Sequence, residues 1–589
     1  MKVNKYIISA LVCPFVLGSC ADWDDWKYDV EKPQTIAQYE YLNDYAPLKE
    51  YLDRGAHPGF KVSAALGADE FNQQGPLFRL AAHNFDEIVA GNAMKMASCV
   101  NDQGVMDFSK VSSFVSAAED AGLTVYGHTL AWHAQQPRKY LNELIKDNAG
   151  AVEIPVSVGH LTFDDGQNLG GWGMDNTPKI VNGVCEVGNN AAKENPWNAQ
   201  VCYEPGFAFE NGKNYHLKMK IKGSVAGEFG AGFQNPEGYQ GCGDFPTINV
   251  TTDWKEVDVT TTCNGDNALR LLLNIGKYPG TLYIDDFEVY YTKSSDGIPL
   301  TPQEKSDTLT WAMNKWISGM MQATGGKVKA WDLINEAVSG GGNVNGYYAL
   351  QTEATSEHNP QDFYWQDYFT PEMYGPIVEK AARDAYAAVE GTNPEDLKLF
   401  INDYNLESDW DDNKKVKSLV YWIGVWEKKG QELGWNTKID GIGSQMHISY
   451  YENEQTLESK KKAIQNMLKI MAETGKLVRI SEIDMGYVDK DGKDVTTAQL
   501  EKLPIEERVA KEKAMAEHYK WIIEQYFKIV PVSQQYGICQ WCLTDSPTDS
   551  GWRPGQPVGL WNLNYQRKPA YGGFADGLAS SAKGESDVK

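Results

Sequence analysis

Short apolar runs recur along the chain at intervals filled by longer stretches of helical period. Eight such runs are strand-like: Phe60–Leu66, Phe85–Asn92, Thr124–Trp132, Lys327–Glu336, Lys398–Asn405, Asp440–His447, Leu477–Met485 and Gly537–Asp545. Pro302–Met321, Pro371–Val389, Leu457–Thr474 and Glu506–Phe527 carry apolar residues at helix spacing. Strands alternating with helices predict parallel βαβ units, and eight of them predict a (β/α)8 TIM barrel of the α/β class. One connection breaks the alternation. Between the third and fourth runs, residues 153–292 hold few helix signals and many short alternating runs, among them Tyr215–Ile221, Trp254–Val259, Leu269–Ile275 and Thr281–Tyr290. This pattern predicts an antiparallel β-sandwich inserted into the third strand-to-helix loop, on the catalytic side of the barrel.

The domain organisation follows. Residues 1–19 read as a signal peptide, 20–152 as the first part of the barrel, 153–292 as the insertion, 293–577 as the rest of the barrel and 578–589 as a tail. Lys2 and Lys5 precede a short apolar stretch, Ile7 to Val16, well under the ~20 residues that span a bilayer. Leu17-Gly18-Ser19-Cys20 then reads as a lipobox, with Cys20 as the acylated first residue of an outer-membrane lipoprotein. The acidic run Asp22, Asp24, Asp25 resembles an export tag for the cell surface; the periplasmic face is the alternative. With Cys13 and Cys20 removed, seven of the nine cysteines remain, so at least one is unpaired. Cys185, Cys202, Cys242 and Cys263 crowd one region and are candidates for pairing, whereas Cys539-Gln540-Trp541-Cys542 reads as structural. No His/Cys cluster has metal-ligand spacing. A formal charge of -25 disfavours nucleic acid as a partner. The 18 tryptophans and 31 tyrosines suit either a large core or a sugar-binding surface.

Polar residues interrupt the apolar runs at their carboxyl ends, where a barrel builds its active site. His128, Trp132, His133 and Gln135 follow the third run, Asn335 and Glu336 the fourth, and Asn402, Asp403 and Asn405 the fifth. Gln445 and His447 follow the sixth, Glu482 and Asp484 the seventh, Trp541 and Asp545 the eighth. Glu336 and Glu482 end strands that face each other across a barrel. Glycoside hydrolysis needs such a pair, one protonated to donate to the leaving oxygen and one ionised to attack the anomeric carbon.

The segments WDLINEAV, LFINDYN, IDGIGSQMHIS and VRISEIDM, with YGHTLAWHAQQP and GLWNLNYQRKPAY, resemble glycoside hydrolase family 10, the endo-β-1,4-xylanases. The resemblance runs from about residue 40 to 575 outside the insertion. It implies a retaining hydrolase that cuts xylan and xylo-oligosaccharides without a cofactor, as a monomer. Glu336 corresponds to the general acid/base and Glu482 to the nucleophile. Asn335 corresponds to the partner of the sugar 2-hydroxyl, and His447, with Gln445 beside it, to the holder of the nucleophile. His128 and Lys95 correspond to donors to the 3-hydroxyl, Trp132, Trp541 and Trp552 to aromatic walls, and Tyr404 to a stacking residue on the leaving-group side. Asn92 and Gln135 complete the substrate-binding set. One position departs from the pattern: Gly91 stands where the family places a glutamate that binds the second sugar. The alternatives are a β-1,4-glucanase on the same scaffold and a non-catalytic surface glycan-binding protein.

The insertion resembles a jelly-roll carbohydrate-binding module through LTFDDGQNLGGW and LYIDDFEVYY. Trp172, Trp197, Tyr239 and Trp254 are candidate sugar platforms, and Asp164, Asp165, Asp285 and Asp286 are candidate ligands for a structural calcium.

Overall fold

The computed structural model describes residues 32–146, 153–164, 167–294, 299–356, 359 and 361–582. The expected signal peptide, Cys20, Asp165 and the last seven residues of the tail lie outside them.

Eight parallel strands form the barrel: β1 (Lys61–Ala65), β2 (Glu87–Val89), β3 (Thr124–Tyr126), β4 (Ala330–Asn335), β5 (Lys398–Asp403), β6 (Gly441–Ser444), β7 (Leu477–Val488) and β8 (Gln535–Gln540). They pair in the order β4-β5-β6-β7-β8-β1-β2-β3. Parallel bridges from Gly127 to Trp331 and from Ala131 to Ile334 close β3 onto β4. A side chain at Gly127 is excluded there, because a Cβ would fall 1.9 Å from the Trp331 ring. Helices follow the strands in turn: α1 (Pro76–Asn84), α2 (Ser109–Asp120), α3 (Pro302–Ala323), α4 (Pro371–Ala387), α5 (Lys414–Glu432), α6 (Glu454–Glu473), α7 (Ile505–Ile529) and α8 (Pro569–Ala579). Thr301 and Glu304 close a reciprocal capping box at the start of α3.

Strands β4 and β5 are buried on both faces, which is why they read as nearly continuous apolar runs. The barrel interior also holds a buried ion pair, Arg479 to Glu87 at 2.8 Å. Tyr536 donates to the same carboxylate at 2.8 Å, and the Arg479 guanidinium lies 3.4 Å from the Tyr126 ring centre. These partners offset the cost of placing two charges in an apolar core.

The insertion forms two six-stranded antiparallel sheets. Its first strand, Glu153–Leu161, pairs with its last, Thr281–Ser294, from Glu153↔Ser294 to Leu161↔Phe287. Entry and exit are therefore adjacent, and the barrel accepts the passenger without displacing its own strands. In Asn214–Gly223 the burial alternates along the strand, with Leu217, Met219 and Ile221 in the sandwich core. The outward residues of that sheet, Lys218, Glu256, Glu288 and Tyr290, face Trp311 and Lys315 of α3 across a polar cleft of about 550 Å3.

Two expectations about the insertion change. All seven cysteines among the described residues are free thiols, including Cys185, Cys202, Cys242 and Cys263. Asp285 and Asp286 already have other partners in place of a calcium ion. Asp286 is bonded to Lys220 at 2.6 Å and approached by His160 at 3.8 Å, so an ammonium already holds the place of a cation. Asp285 accepts from the Asp286 amide at 2.8 Å. Among the described residues no cluster of three or more His, Cys, Asp or Glu side chains is arranged to hold a metal.

Candidate active site

Glu336 follows the last residue of β4 in a left-handed backbone conformation, φ 54°. Its amide donates to the Asn402 carbonyl at 2.7 Å, and Gln351 Nε2 donates to its own carbonyl at 2.9 Å. These bonds hold a conformation that is costly for a side chain of this size. Trp132 Nε1 donates to Oε2 at 3.0 Å, and Gln445 Nε2 and Asn335 Nδ2 donate to Oε1 at 2.9 and 3.3 Å.

Glu482 lies within β7, only 4% exposed. Asn402 Nδ2 donates to Oε1 at 2.8 Å, and His447 Nε2 reaches Oε2 at 3.3 Å. Burial alone would raise the pKa of this carboxyl. The His447 hydrogen bond, the charges of His128 and His447 and the Asn402 bond outweigh burial and hold it at about 2. His447 responds in the opposite sense. Burial opposes its charge, but Asp484 and Glu482 raise its pKa to about 10, so the ring is an imidazolium at neutral pH. Its Nδ1 donates to Asp484 at 2.9 Å. Asp484 is fully buried and also accepts from Arg553 at 2.8 Å and Trp552 Nε1 at 2.9 Å.

Amide groups join the two carboxyl groups. Asn402 Nδ2 donates to Asn335 Oδ1 at 2.9 Å as well as to Glu482, and Gln445 Nε2 approaches the same Asn335 oxygen at 3.3 Å. Asn402 thus spends both amide hydrogens keying one carboxyl group to the other.

The remaining expected residues surround this pair. His128 donates from Nδ1 to Asp332 at 2.8 Å, which fixes the ring and directs its other nitrogen elsewhere. Lys95 donates to Asn92 at 2.9 Å and lies 4.6 Å from the Trp132 ring centre. Burial lowers the Lys95 pKa, against the pull of Glu482 and Glu336. Trp541 meets His128 edge-on at 5.4 Å and Trp552 meets His447 edge-on at 4.6 Å. Trp552 is 44% exposed, as a wall open to solvent requires. The Tyr404 ring centre lies 3.2 Å from the Lys415 ammonium, and Asn92 and Gln135 are exposed. His447 differs in one respect from its expected place. It starts a short strand, His447–Tyr451, that pairs with the outer part of β7, His447 opposite Asp484.

Several supporting residues were not singled out in the sequence: Asp332 behind His128, Gln351 behind Glu336 and Arg553 behind Asp484. Asp332 is the only one with a local signal, as a charge inside the apolar run WDLIN. Gly91 has φ 54°, and a Cβ there would lie 3.1 Å from the Leu66 carbonyl oxygen. The position without the expected carboxylate is therefore one where the backbone favours glycine.

On the insertion, Trp172 and Tyr239 are exposed and flank Arg270, whose guanidinium lies 4.9 and 5.8 Å from their ring centres. Arg270 donates to Gln234 at 3.0 Å, and Gln200 donates to Asn274 at 2.6 Å. These groups share the sheet away from α3, on its outward face. Trp197 is exposed on the turn Pro196–Asn198. Trp254 lies 5.0 Å from the Lys222 ammonium, beside the other sheet.

Residues 52–155 and 295–577, well over half of the chain, match the profile described as glycosyl hydrolase family 10, and the interruption coincides with the insertion. Endo-beta-1,4-xylanase Xyn10C of Cellvibrio japonicus is 28% identical over 268 residues, covering 43% of this chain and 37% of that protein. Endo-1,4-beta-xylanase A of Fusarium oxysporum f. sp. lycopersici is 27% identical over 276 residues, covering 45% of this chain and 66% of that protein. The crystal structure of xylanase B from Clostridium stercorarium F9 superposes with a TM-score of 0.49 at 16% identity, covering 90% of this chain and all of that one. The chain thus spans less than two thirds of the length of these curated relatives. With a profile match on both sides of the insertion, the chain belongs to glycosyl hydrolase family 10.

Proposed function

We propose that the protein is an endo-β-1,4-xylanase that hydrolyses internal bonds of xylan with retention. The observation that carries this reading is the opposed environment of two carboxyl groups in one hydrogen-bonded network. Glu482 is kept ionised by an imidazolium, whereas Glu336 receives only neutral donors: an indole and two amides. In the first step Glu336 protonates the leaving glycosidic oxygen while Glu482 attacks the anomeric carbon, forming a glycosyl-enzyme. In the second, Glu336 takes a proton from water as the water displaces Glu482. Asn335 is positioned to bond the 2-hydroxyl, a contact that strengthens in the transition state. The groups present suffice for this chemistry without a cofactor. The two curated relatives named above carry endo-1,4-β-xylanase names, which supports xylan as the substrate, while a third, of Acetivibrio thermocellus, is named an exoglucanase. Glu482→Ala assayed on xylan, with carboxymethylcellulose in parallel, tests the reading. Lost hydrolysis with retained xylan binding is expected; an unaltered rate removes Glu482 as nucleophile, and a preference for carboxymethylcellulose removes xylan as substrate.

The insertion serves in this reading as a carbohydrate-binding module that raises the local concentration of polymer. Trp172 and Tyr239 would offer flat faces to pyranose rings, with Arg270 and the amides between them bonding hydroxyls. Affinity electrophoresis in xylan gels tests this, with loss of retardation expected for the Trp172→Ala, Tyr239→Ala double variant. Cys20 would anchor the protein by lipid to the outer membrane, at the cell surface. Release of Cys20→Ala from the membrane fraction tests the anchor, and protease accessibility on intact cells tests the side.

A further inference from the structure

Helix α5 begins with two lysines, and the second of them, Lys415, is buried at 3% exposure. A buried ammonium is costly unless it is paired. Lys415 Nζ meets Asp403 Oδ1 at 2.9 Å, and Asp403, the last residue of β5, is itself fully buried. Burial raises the Asp403 pKa, and the Lys415 charge is the largest influence against it. The same ammonium lies 3.2 Å from the centre of the Tyr404 ring. That is closer than an approach at the ring edge allows. The charge therefore sits over one face of the ring and leaves the other face to a ligand.

The loop before α5 fixes Lys415 in this place. Asn413 takes a left-handed conformation, φ 56°, which asparagine tolerates better than most residues. Its amide donates to the Ser408 carbonyl at 3.0 Å, and its side chain donates to the Leu406 and Ala463 carbonyls at 3.2 and 3.0 Å. Asp403 carries the constraint further. Its Oδ1 accepts from the Tyr404 amide and its Oδ2 from the Val338 amide, both at 2.9 Å. Val338 lies two residues beyond Glu336, on the turn that holds the left-handed backbone of the acid. One buried lysine is thus tied to Tyr404 and to the turn of Glu336. Both of those residues act on the leaving group. Glu482 draws its donors from Asn402 and His447 instead.

We propose that Lys415 is a positioning residue for the leaving-group half of the site: it pins the Tyr404 ring from behind and, through Asp403, steadies the turn that carries Glu336. The proposal rests on the xylanase reading and deepens it. Lys415 touches no reacting atom, so its loss should matter only where the leaving group needs a proton and a stacking partner.

Lys415→Met leaves Asp403 buried and unpaired, so the double variant Lys415→Met, Asp403→Asn is made beside it; the new amide oxygen still accepts from both backbone amides. The measurement is kcat/KM on two substrates. Xylohexaose has a sugar leaving group that needs a proton, whereas dinitrophenyl β-xylobioside loses an aryl anion that needs none. Both variants are expected to lose about tenfold on xylohexaose, the scale of a desolvated cation–π contact, and to change by less than about twofold on the aryl substrate. Equal losses on the two substrates would overturn the proposal, because a merely structural residue lowers both. An unchanged value on xylohexaose would overturn it as well. So would failure of both variants to fold, which would make Lys415 a support of the barrel rather than of the site. Failure of the wild type on both substrates would instead overturn the xylanase reading itself.

Discussion

Replacing His447 by alanine removes the imidazolium that lies 3.3 Å from Glu482 and leaves that carboxyl buried with Asn402 as its remaining close donor. A hydrogen bond to a charged group is worth about 1.5–3 kcal/mol, and one pKa unit corresponds to about 1.36 kcal/mol. Losing the bond should therefore raise the Glu482 pKa by about one to two units from its present value of about 2. The change should not be cancelled by the neighbours. Burial of Glu482 acts in the same upward direction. The assay is the pH dependence of kcat/KM on an aryl xylobioside. Wild type should show no acid limb from Glu482 until close to pH 2, whereas the variant should show one shifted upward by one to two units. His447→Gln, which keeps a neutral donor, should shift it less. The stability signs differ between the two groups. The depressed Glu482 pKa stabilises the fold above the ordinary carboxyl range, and that contribution is lost as pH falls towards about 2. The raised His447 pKa stabilises below 6.5, and its contribution is lost as pH rises through about 10. An acid limb that does not move in His447→Ala, in a protein that melts normally, would refute the assigned role of His447.

Three further outcomes follow. Glu87→Ala leaves Arg479 charged and unpaired inside the barrel, and should lower stability by about 3–5 kcal/mol in denaturant unfolding. Trp132→Phe deletes the indole donor to Glu336; kcat on xylan should fall by up to about tenfold, at the scale of one hydrogen bond, with little change in melting temperature. Gly91→Glu places a side chain at φ 54° beside the Leu66 carbonyl and should cost about 1–2 kcal/mol. Its effect on xylan hydrolysis must therefore be read together with its melting temperature.

The legible parts of the sequence were those with strong local period. Strands β4, β5 and β7 announced themselves as apolar runs ending in polar residues, and those residues proved to converge. Other elements hid for physical reasons. Helix α8, PAYGGFADGLA, has poor intrinsic propensity. Its glycines exist for close packing: a Cβ on Gly573 would meet the Ala516 carbonyl of α7 at 2.0 Å, and one on Gly577 would meet Ile523 at 2.8 Å. Strands β2 and β3 are shorter than their apolar runs, because the chain turns at Gly91 in one and is held only by isolated bridges after Tyr126 in the other. Within the site, the carboxyl pair was legible, but the groups that set its chemistry were less so. Arg553 reaches Asp484 from a loop 69 residues away, a register no local pattern encodes. The partner of Asp286 was hidden on the same ground, since the lysine bonded to it comes from a neighbouring strand.

The central claim, that Glu482 is the nucleophile of a double displacement, is tested most directly by trapping the intermediate. The protein is incubated with an activated 2-deoxy-2-fluoro-β-xylobioside, and its intact mass and peptide masses are measured. The account predicts one added glycosyl group, found on the peptide containing Glu482 and released by transfer to an acceptor sugar. An adduct on any other residue, or steady turnover with inverted product and no adduct, would contradict it.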